Sequence, residues 1–360
     1  MSLFIFLIVL SILIVVHEFG HFIVAKKSGV KVERFSLGFG PRLFSRKKGD
    51  TEYTICIFPM GGFVKLAGDN PDECKGGKDE YLSQPPGKRF NIVVAGATLN
   101  YVLGFLCFVL IFCTGYPRTT AKIGGLLDGY GAQQAGVHAG DIITSVEGKK
   151  VIFWDELQQA VQEKQSADKI SVTVQRENKT LNLEIPLKKQ EMENVLGDKL
   201  KVGLLGVTPS DESRIVKHGI LASIGLGAQR TYDLTILTYK ALWRMVIRKM
   251  SFRESVTGPL GMFYITSKAA NSGITALINV LAALSISLAL FNLLPFPALD
   301  GGYIFLLAIE KIRGKAFSKK FENIFGQIGM GLLITLAVAV LYNDLVRFNI
   351  FDKITKLFIK

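Results

Sequence analysis

LFIFLIVLSILIVVHEFGHFIVA, residues Leu3–Ala25, is an apolar run that holds the motif His17-Glu18-Phe19-Gly20-His21. About 20 such residues suffice to cross a bilayer as a helix. In that helix His17 and His21, at i and i+4, fall on one face and can ligate one metal ion. Glu18 lies between them, placed to act as a base on water at that metal. A charged residue inside a span is costly and marks a functional site. The reading of this one stretch therefore sets two expectations at once: a membrane-embedded helix and a metal centre within it.

The rest of the chain extends the first expectation. With 49% hydrophobic residues among 360 and a mean hydropathy of +0.33, the composition excludes an ordinary soluble enzyme and fits a membrane protein with a water-facing part. Besides Leu3–Ala25, the runs Ile92–Tyr116, Ile274–Leu299 and Ile324–Tyr342 are long enough to span, and none of these three contains Lys or Arg. The net charge of +13 points away from nucleic acid, because the basic residues collect beside the spans. Lys26, Lys27, Arg42, Arg46, Lys47, Lys48, Lys88 and Arg89 lie between spans one and two; Lys311, Arg313, Lys315, Lys319 and Lys320 lie between spans three and four. Both loops are expected in the cytoplasm, and the long segment between spans two and three outside it. Met1–Val16 lacks the basic start and small-residue cleavage pattern of a secretory signal, so the first span is expected to stay uncleaved. Cys56, Cys74, Cys107 and Cys113 lack the close paired spacing of a zinc site.

Four regions follow. Residues 1–117 hold the first span, a Gly-rich loop region and the second span. Within them, 52–58 alternates polar and apolar residues and 59–66 continues after Pro59, which reads as strand, turn, strand; 69–89 is polar and Gly/Pro-rich and reads as a mobile loop. Residues 118–209 form a soluble α/β domain. Its Ala132–Ile143 stretch reads as short helix, glycine turn and strand, Asp155–Glu163 as an amphipathic helix, and Lys169–Gln175 with Thr180–Leu187 as paired strands. The Ala132-Gln133-Gln134-Ala135-Gly136-Val137-His138-Ala139-Gly140-Asp141 signature resembles a bacterial PDZ domain, whose groove takes an extended peptide as an added strand. In 210–273 an apolar stretch is interrupted by Arg230, Asp233, Lys240 and Arg244, which reads as an amphipathic helix on the outer membrane surface, broken by Thr257-Gly258-Pro259-Leu260-Gly261. Residues 274–360 hold spans three and four.

A catalytic zinc wants three protein ligands and an open position, and HEFGH offers two. His138 and His218 fall on the far side of the membrane. Asn292-Leu293-Leu294-Pro295-Phe296-Pro297-Ala298-Leu299-Asp300-Gly301-Gly302, at the end of span three, brings a carboxylate where two prolines and two glycines break the helix. Irregular backbone at membrane depth survives only when buried in protein or lining a wet cavity.

HEFGH and NLLPFPALDGG, each in a span and in this order, together with Arg34–Pro41, Phe58–Asp69 and Gly96–Asn100, resemble the site-2 protease family of intramembrane zinc metalloproteases, and within it the bacterial regulator of sigma-E protease group. The resemblance implies a polytopic α-helical membrane protein of about four spans, with a membrane-associated β-hairpin or sheet and an inserted α/β PDZ domain. It implies one Zn2+ per chain held by His17, His21 and Asp300, with Glu18 as the catalytic base. Gly61, Gly62 and Phe63 become candidates to hold an unwound substrate, and Asn292 a substrate contact, although for Asn292 and for Asn100 a helix–helix hydrogen bond serves equally. Implied substrates are single-span membrane proteins, either a trimmed anti-sigma factor or a remnant signal peptide, cut in the bacterial inner membrane with the PDZ domain outside the cytoplasm and no nucleic acid involved. The best-known member of that group has two tandem PDZ domains; this chain has room for one. Two other readings are a PDZ membrane scaffold with an inactive metal site and a divalent-metal transporter; neither needs Glu18 in this register.

Overall fold

The computed structural model describes residues 1–164, 166–194, 196–251, 255–315 and 317–349, with Pro59, Met60 and Lys319 described by backbone alone. Residues 350–360, which the sequence assigns to the second half of the core, lie outside the described residues. The chain divides into two compact units, the first made of 1–111, 220–242 and 251–360 and the second of 112–219 and 243–250.

Among the described residues of the first unit, four helices are long and apolar enough to cross a membrane: Ser2–Lys27 (α1), Pro86–Thr114 (α2), Ile274–Asn292 and Lys320–Arg347. They match the four apolar runs except at one end. The third stops at Asn292 rather than Leu299, because Pro295 and Pro297 cannot continue a helix, and Ala298 takes a positive φ of 73°. The chain resumes as a helix at Asp300.

Between α1 and α2 the strands Val32–Lys48 (β1) and Thr51–Leu66 (β2) form an antiparallel sheet. A hairpin is present, but it closes at Lys48 and Thr51 through Gly49 at φ +61°, one strand earlier than the sequence placed it. Stretches 52–58 and 60–66 do not pair with each other. Arg34 faces both Lys65 and Glu52, and Leu37 both Gly62 and Ile55, so segment 34–37 lies between them. Gly38, Gly40 and Gly61, at φ +86°, +88° and +116°, supply the left-handed bends that fold each long strand on itself. Within residues 69–89, read from composition as a mobile loop, 75–77 are pinned by Glu80, whose Oε2 accepts the N–H groups of Lys75, Gly76 and Gly77 at 2.9, 2.8 and 3.1 Å. The local order comes from a side chain, which composition does not show.

In the second unit, Gly131–Gln134 (α3) and Trp154–Glu163 (α4) pack on a four-stranded sheet built from Ile142–Val146 (β5), Lys149–Lys150 (β6), Lys169–Arg176 (β7) and Lys179–Pro186 (β8), in the order β6-β5-β7-β8. Between β2 and β5 lie Tyr116–Thr119 (β3) and Ile123–Leu126 (β4). Ile143, Val146, Ile170, Val172, Val174 and Ile185 of the sheet and Leu157 of α4 are buried in one core, and 170, 172 and 174 of β7 show the period-2 pattern of a half-buried sheet. Asp141 closes the signature turn: it accepts His138 N at 2.9 Å and a bidentate pair of bonds from Arg176, both at 2.8 Å. The domain continues past 209, since β3 pairs with Ser213–Val216 (β12, after Lys188–Glu193, Lys199–Leu204 and Val207–Pro209 as β9 to β11).

Back in the first unit, the expected interrupted helix is Ile220–Val246 (α5). It is not detached from the spans: Gly227 fits against Val109 of α2, and Tyr101 Oη lies 3.0 Å from Thr235 Oγ1. The buried face of α5 is Ser223, Gly227 and Thr231, small residues that let backbones approach. α5 ends at Val246, and Thr257–Gly261 leads into a helix that the sequence reading left out, Pro259–Ser272 (α6), with Pro259 at the favoured first position. Further along lie the helices Ile274–Asn292 (α7), Asp300–Arg313 (α8) and Lys319–Arg347 (α9).

Candidate metal centre

The i,i+4 pair of α1 and the first residue of α8 meet inside the first unit. His17 Nε2 lies 3.2 Å from His21 Nε2 and 3.2 Å from Asp300 Oδ2, and His21 Nε2 lies 3.5 Å from that same oxygen. Ligands about 2.0–2.1 Å from a tetrahedral zinc stand about 3.3 Å apart, so one ion fits between these three atoms. A second observation supports the fit. Asp300 Oδ2 is buried and has no hydrogen-bond partner among the described residues. A buried carboxylate oxygen without a donor is costly unless a cation answers it.

Each ligand is held from behind. With both Nε2 atoms turned to the ion position, each Nδ1 carries the ring proton. That of His21 donates to the Ile92 carbonyl oxygen at 2.8 Å, which fixes the ring and its tautomer; that of His17 lies 3.5 Å from Asn292 Nδ2, and the amide accepts the ring proton when turned to present its Oδ1. Asn292 thus stands against His17. Asp300 owes its position to the glycines beside it: a Cβ on Gly301 would strike the main chain of Leu293 and Leu294, and one on Gly302 that of Phe296 and Pro297. The α1–α2 contact is as close. A Cβ on Gly20 would strike Ala95, and one on Gly96 would reach the His17 Cε1 atom at 2.8 Å and the His21 Cε1 atom at 2.7 Å. Gly96, Ile92 and Val64 were not read as site residues from the sequence. The small pair Gly96-Ala97 in span two is the one signal that could have marked the close approach.

Glu18 turns to the sheet: its Oε2 accepts the Val64 N–H at 3.1 Å. A Cβ on Gly62 would lie 3.8 Å from Glu18 Cγ, so Gly62 passes beside the motif. Gly61 lies under the Phe39 ring, which stacks on Phe63 with centroids 6.2 Å apart. Gly61, Gly62 and Phe63 therefore form the strand next to Glu18, whose margin has no further strand among the described residues. Asn100 is fully buried in α2; its carbonyl accepts Ser285 Oγ at 2.7 Å, while its side-chain amide has no partner among the described residues. His138 and His218 belong to the second unit.

The comparisons agree with this chemistry. The model of Peptidase family M50 matches residues 5–336. A Campylobacter jejuni protein, named as an inferred zinc metalloprotease, is 34% identical over 94% of this chain and 92% of its own length. The Regulator of sigma-W protease RasP of Bacillus subtilis is 29% identical over 95% of this chain and 97% of its own; Zinc metalloprotease RasP of Oceanobacillus iheyensis is 27% identical over 95% and 98%. Among solved structures, the PDZ domain of an SdrC-like protein from Listeria monocytogenes aligns with 27% of this chain and 90% of its own, at 22% identity and a TM-score of 0.21. A family match that runs through α1, α8 and everything between them makes this chain a member of peptidase family M50, a zinc metalloprotease.

Proposed function

We propose that the protein is an intramembrane endopeptidase that hydrolyses peptide bonds within the spans of single-span membrane proteins. The observation that carries this is the position of His17, Glu18 and His21 on a helix apolar enough to cross a membrane, with Asp300 Oδ2 within 3.5 Å of both histidines. His17 precedes Lys26 by nine residues, about 13 Å of helix, which supports a site inside the bilayer towards the basic, cytoplasmic face. When bound, a zinc ion polarises the scissile carbonyl and lowers the pKa of water to about 7.

The protein's own residues do the rest. His17, His21 and Asp300 hold the ion, and Glu18 takes a proton at its carboxylate and returns it to the leaving amine. A helical span hides its peptide bonds and must be unwound before attack. The open margin of strand 62–65 accepts the unwound segment as an added strand. That strand competes for the Val64 N–H that Glu18 holds, so docking frees the carboxylate beside the bond to be cut. In the second unit a cleft of about 150 Å3 between Trp154, Leu157 and Val161 of α4 and residues 202–207 suits a peptide end, and serves to admit substrates already trimmed outside the cytoplasm. The B. subtilis relative's name links it to sigma-factor control; for this chain a trimmed anti-sigma factor or a remnant signal peptide is the fitting substrate, cut in a bacterial inner membrane.

The test is Glu18→Gln, assayed on a co-expressed single-span substrate and for metal content. Zinc is expected to stay at about one per chain while cleavage falls by about 10²–10⁴. Cleavage at the wild-type rate would refute the role of Glu18 and with it this mechanism.

A further inference from the structure

The first unit contains a cavity of about 350 Å3 whose walls include Asp69, Tyr81, Arg89, Tyr303, Glu310 and Glu322. Tyr303 follows Asp300 by one turn of α8, and Glu310 lies ten residues from it, so this wall runs about 15 Å from the metal ligand. Arg89 stands at the start of α2, Glu310 near the end of α8 and Glu322 at the start of α9; these are the helix ends next to the basic loops.

The charges on these walls do not balance. Arg89 and Glu310 form a buried ion pair, and Arg89 also donates to the Gln84 carbonyl at 3.1 Å. Glu322 is half-buried and is attracted by the same Arg89 that Glu310 already pairs with, without an ion pair of its own among the described residues, so one guanidinium serves two carboxylates. At the rim, Asp69 accepts one bond, from Leu66 N at 3.1 Å. Tyr81 lines the wall, with its phenol pushed up by burial. An uncompensated carboxylate drawn partly out of water calls for a cation, and the rings of Tyr81 and Tyr303 suit an organic cation. A hard dication would want six or more oxygen ligands, whereas Leu306, Leu307 and Met330 make much of the remaining wall apolar.

The proteolytic reading supplies such a cation. Membrane segments carry Lys and Arg on the cytoplasmic flank, and so do signal peptides. We infer that this cavity is the subsite for the basic cytoplasmic flank of the substrate: a Lys or Arg side chain pairs with Glu322 between the Tyr81 and Tyr303 rings. The cavity extends from Tyr303, one turn beyond Asp300, towards the helix ends beside the basic loops, so the basic residue stands on the cytoplasmic side of the scissile bond. The inference rests on the proposed intramembrane proteolysis.

The experiment separates the two. Full-length Glu18→Gln protein in lipid nanodiscs, which needs no turnover, is titrated with a synthetic single-span Leu/Ala peptide whose cytoplasmic flank carries either Lys or Gln. The Lys peptide is expected to bind about ten-fold tighter, and Glu322→Gln to abolish that preference while leaving the Gln peptide's affinity unchanged. Glu322→Lys is expected to transfer the preference to a peptide with Glu in the same place, an outcome that a misfolded protein cannot give. Equal affinity for the Lys and Gln peptides overturns the subsite whatever the cleavage assay says. So does a Glu322→Gln protein that weakens both peptides alike. Charge-dependent binding without cleavage by the Glu18-containing enzyme would instead overturn the proteolytic reading and keep the subsite.

Discussion

Two aspartates, one in each unit, show how the same side chain builds a fold in one place and a reactive centre in another. Asp141 is 1% exposed and fully answered: both its oxygens take bonds from Arg176, and His138 N adds a third donor. Asp300 starts α8 with its Oδ2 buried, facing two imidazole nitrogens and no donor among the described residues. The satisfied carboxylate holds a turn shut. The unsatisfied one stores an affinity that a cation can use, and the glycines packed around it keep the chain from relaxing to relieve it.

The sharpest way to break that comparison is to neutralise Asp300. Asp300→Asn keeps the shape and removes the charge. Zinc is expected to fall from about one per chain to near none, and cleavage to drop beyond the 10²–10⁴ expected for losing proton transfer alone. Metal analysis of the purified variant decides it; retained zinc would mean that the third ligand lies elsewhere.

Neutralising Asp141 should do the reverse, with a smaller effect that spares the metal. Although burial pushes its carboxyl up, the bonds from Arg176 and from His138 N win and hold it below the ordinary 3.8. A carboxyl depressed in the folded state stabilises above its unfolded value and loses that contribution as pH falls through the folded one. Asp141→Asn is therefore expected to cost the second unit about 2 kcal/mol, the worth of hydrogen bonds to a charged group. The gap between wild type and variant should stay constant from about pH 5 to 8 and close only below about pH 4. Unfolding curves across that range check the sign, and unchanged zinc content checks that the two aspartates act separately.

How far the sequence reaches follows the same division. HEFGH, the broken third span and the PDZ-like signature are local patterns, and local spacing is enough to place His17 and His21 on one helix face and Asp300 at a break beside a cavity; the helix Asp300–Arg313 that the carboxylate begins was not legible there. What sequence reading missed depends on contacts between distant segments. Segment 34–37 separates the two strands expected to pair, because each long strand bends at glycines whose left-handed φ is not written in the alternation of 52–66. Ile92 holds His21 through a main-chain carbonyl, and Val64 holds Glu18 through a main-chain N–H, so neither side chain announces its part. Arg176 lies 35 residues beyond the signature whose aspartate it completes.

The smallest effect belongs to a third buried aspartate, which tests whether an answered carboxylate in the membrane unit behaves like Asp141 or like Asp300. Asp344, fully buried in α9, accepts the N–H groups of Gly258, Leu260 and Gly261 at 3.1, 3.0 and 3.1 Å. It caps α6 from more than 80 residues away in sequence, where the local sequence offers Gly258-Pro259 and no capping side chain. The fit is close: a Cβ on Gly258 would lie 2.6 Å from Asp344 Oδ2 and 2.6 Å from Val340 Cγ1. Because α6 packs on α1, with Phe263 edge-on to Phe6 at 5.8 Å, the cap bears on the helix that holds HEFGH. Asp344→Ala should lose the cap at about 1 kcal/mol. Asp344→Asn, which keeps an acceptor but not the charge at the helix N-terminus, should lose about half of that. Thermal unfolding of the full chain ranks the two, with zinc content unchanged in both. If Asp344→Asn lost zinc as Asp300→Asn is expected to, the rule that an answered carboxylate is structural would fail inside the membrane unit.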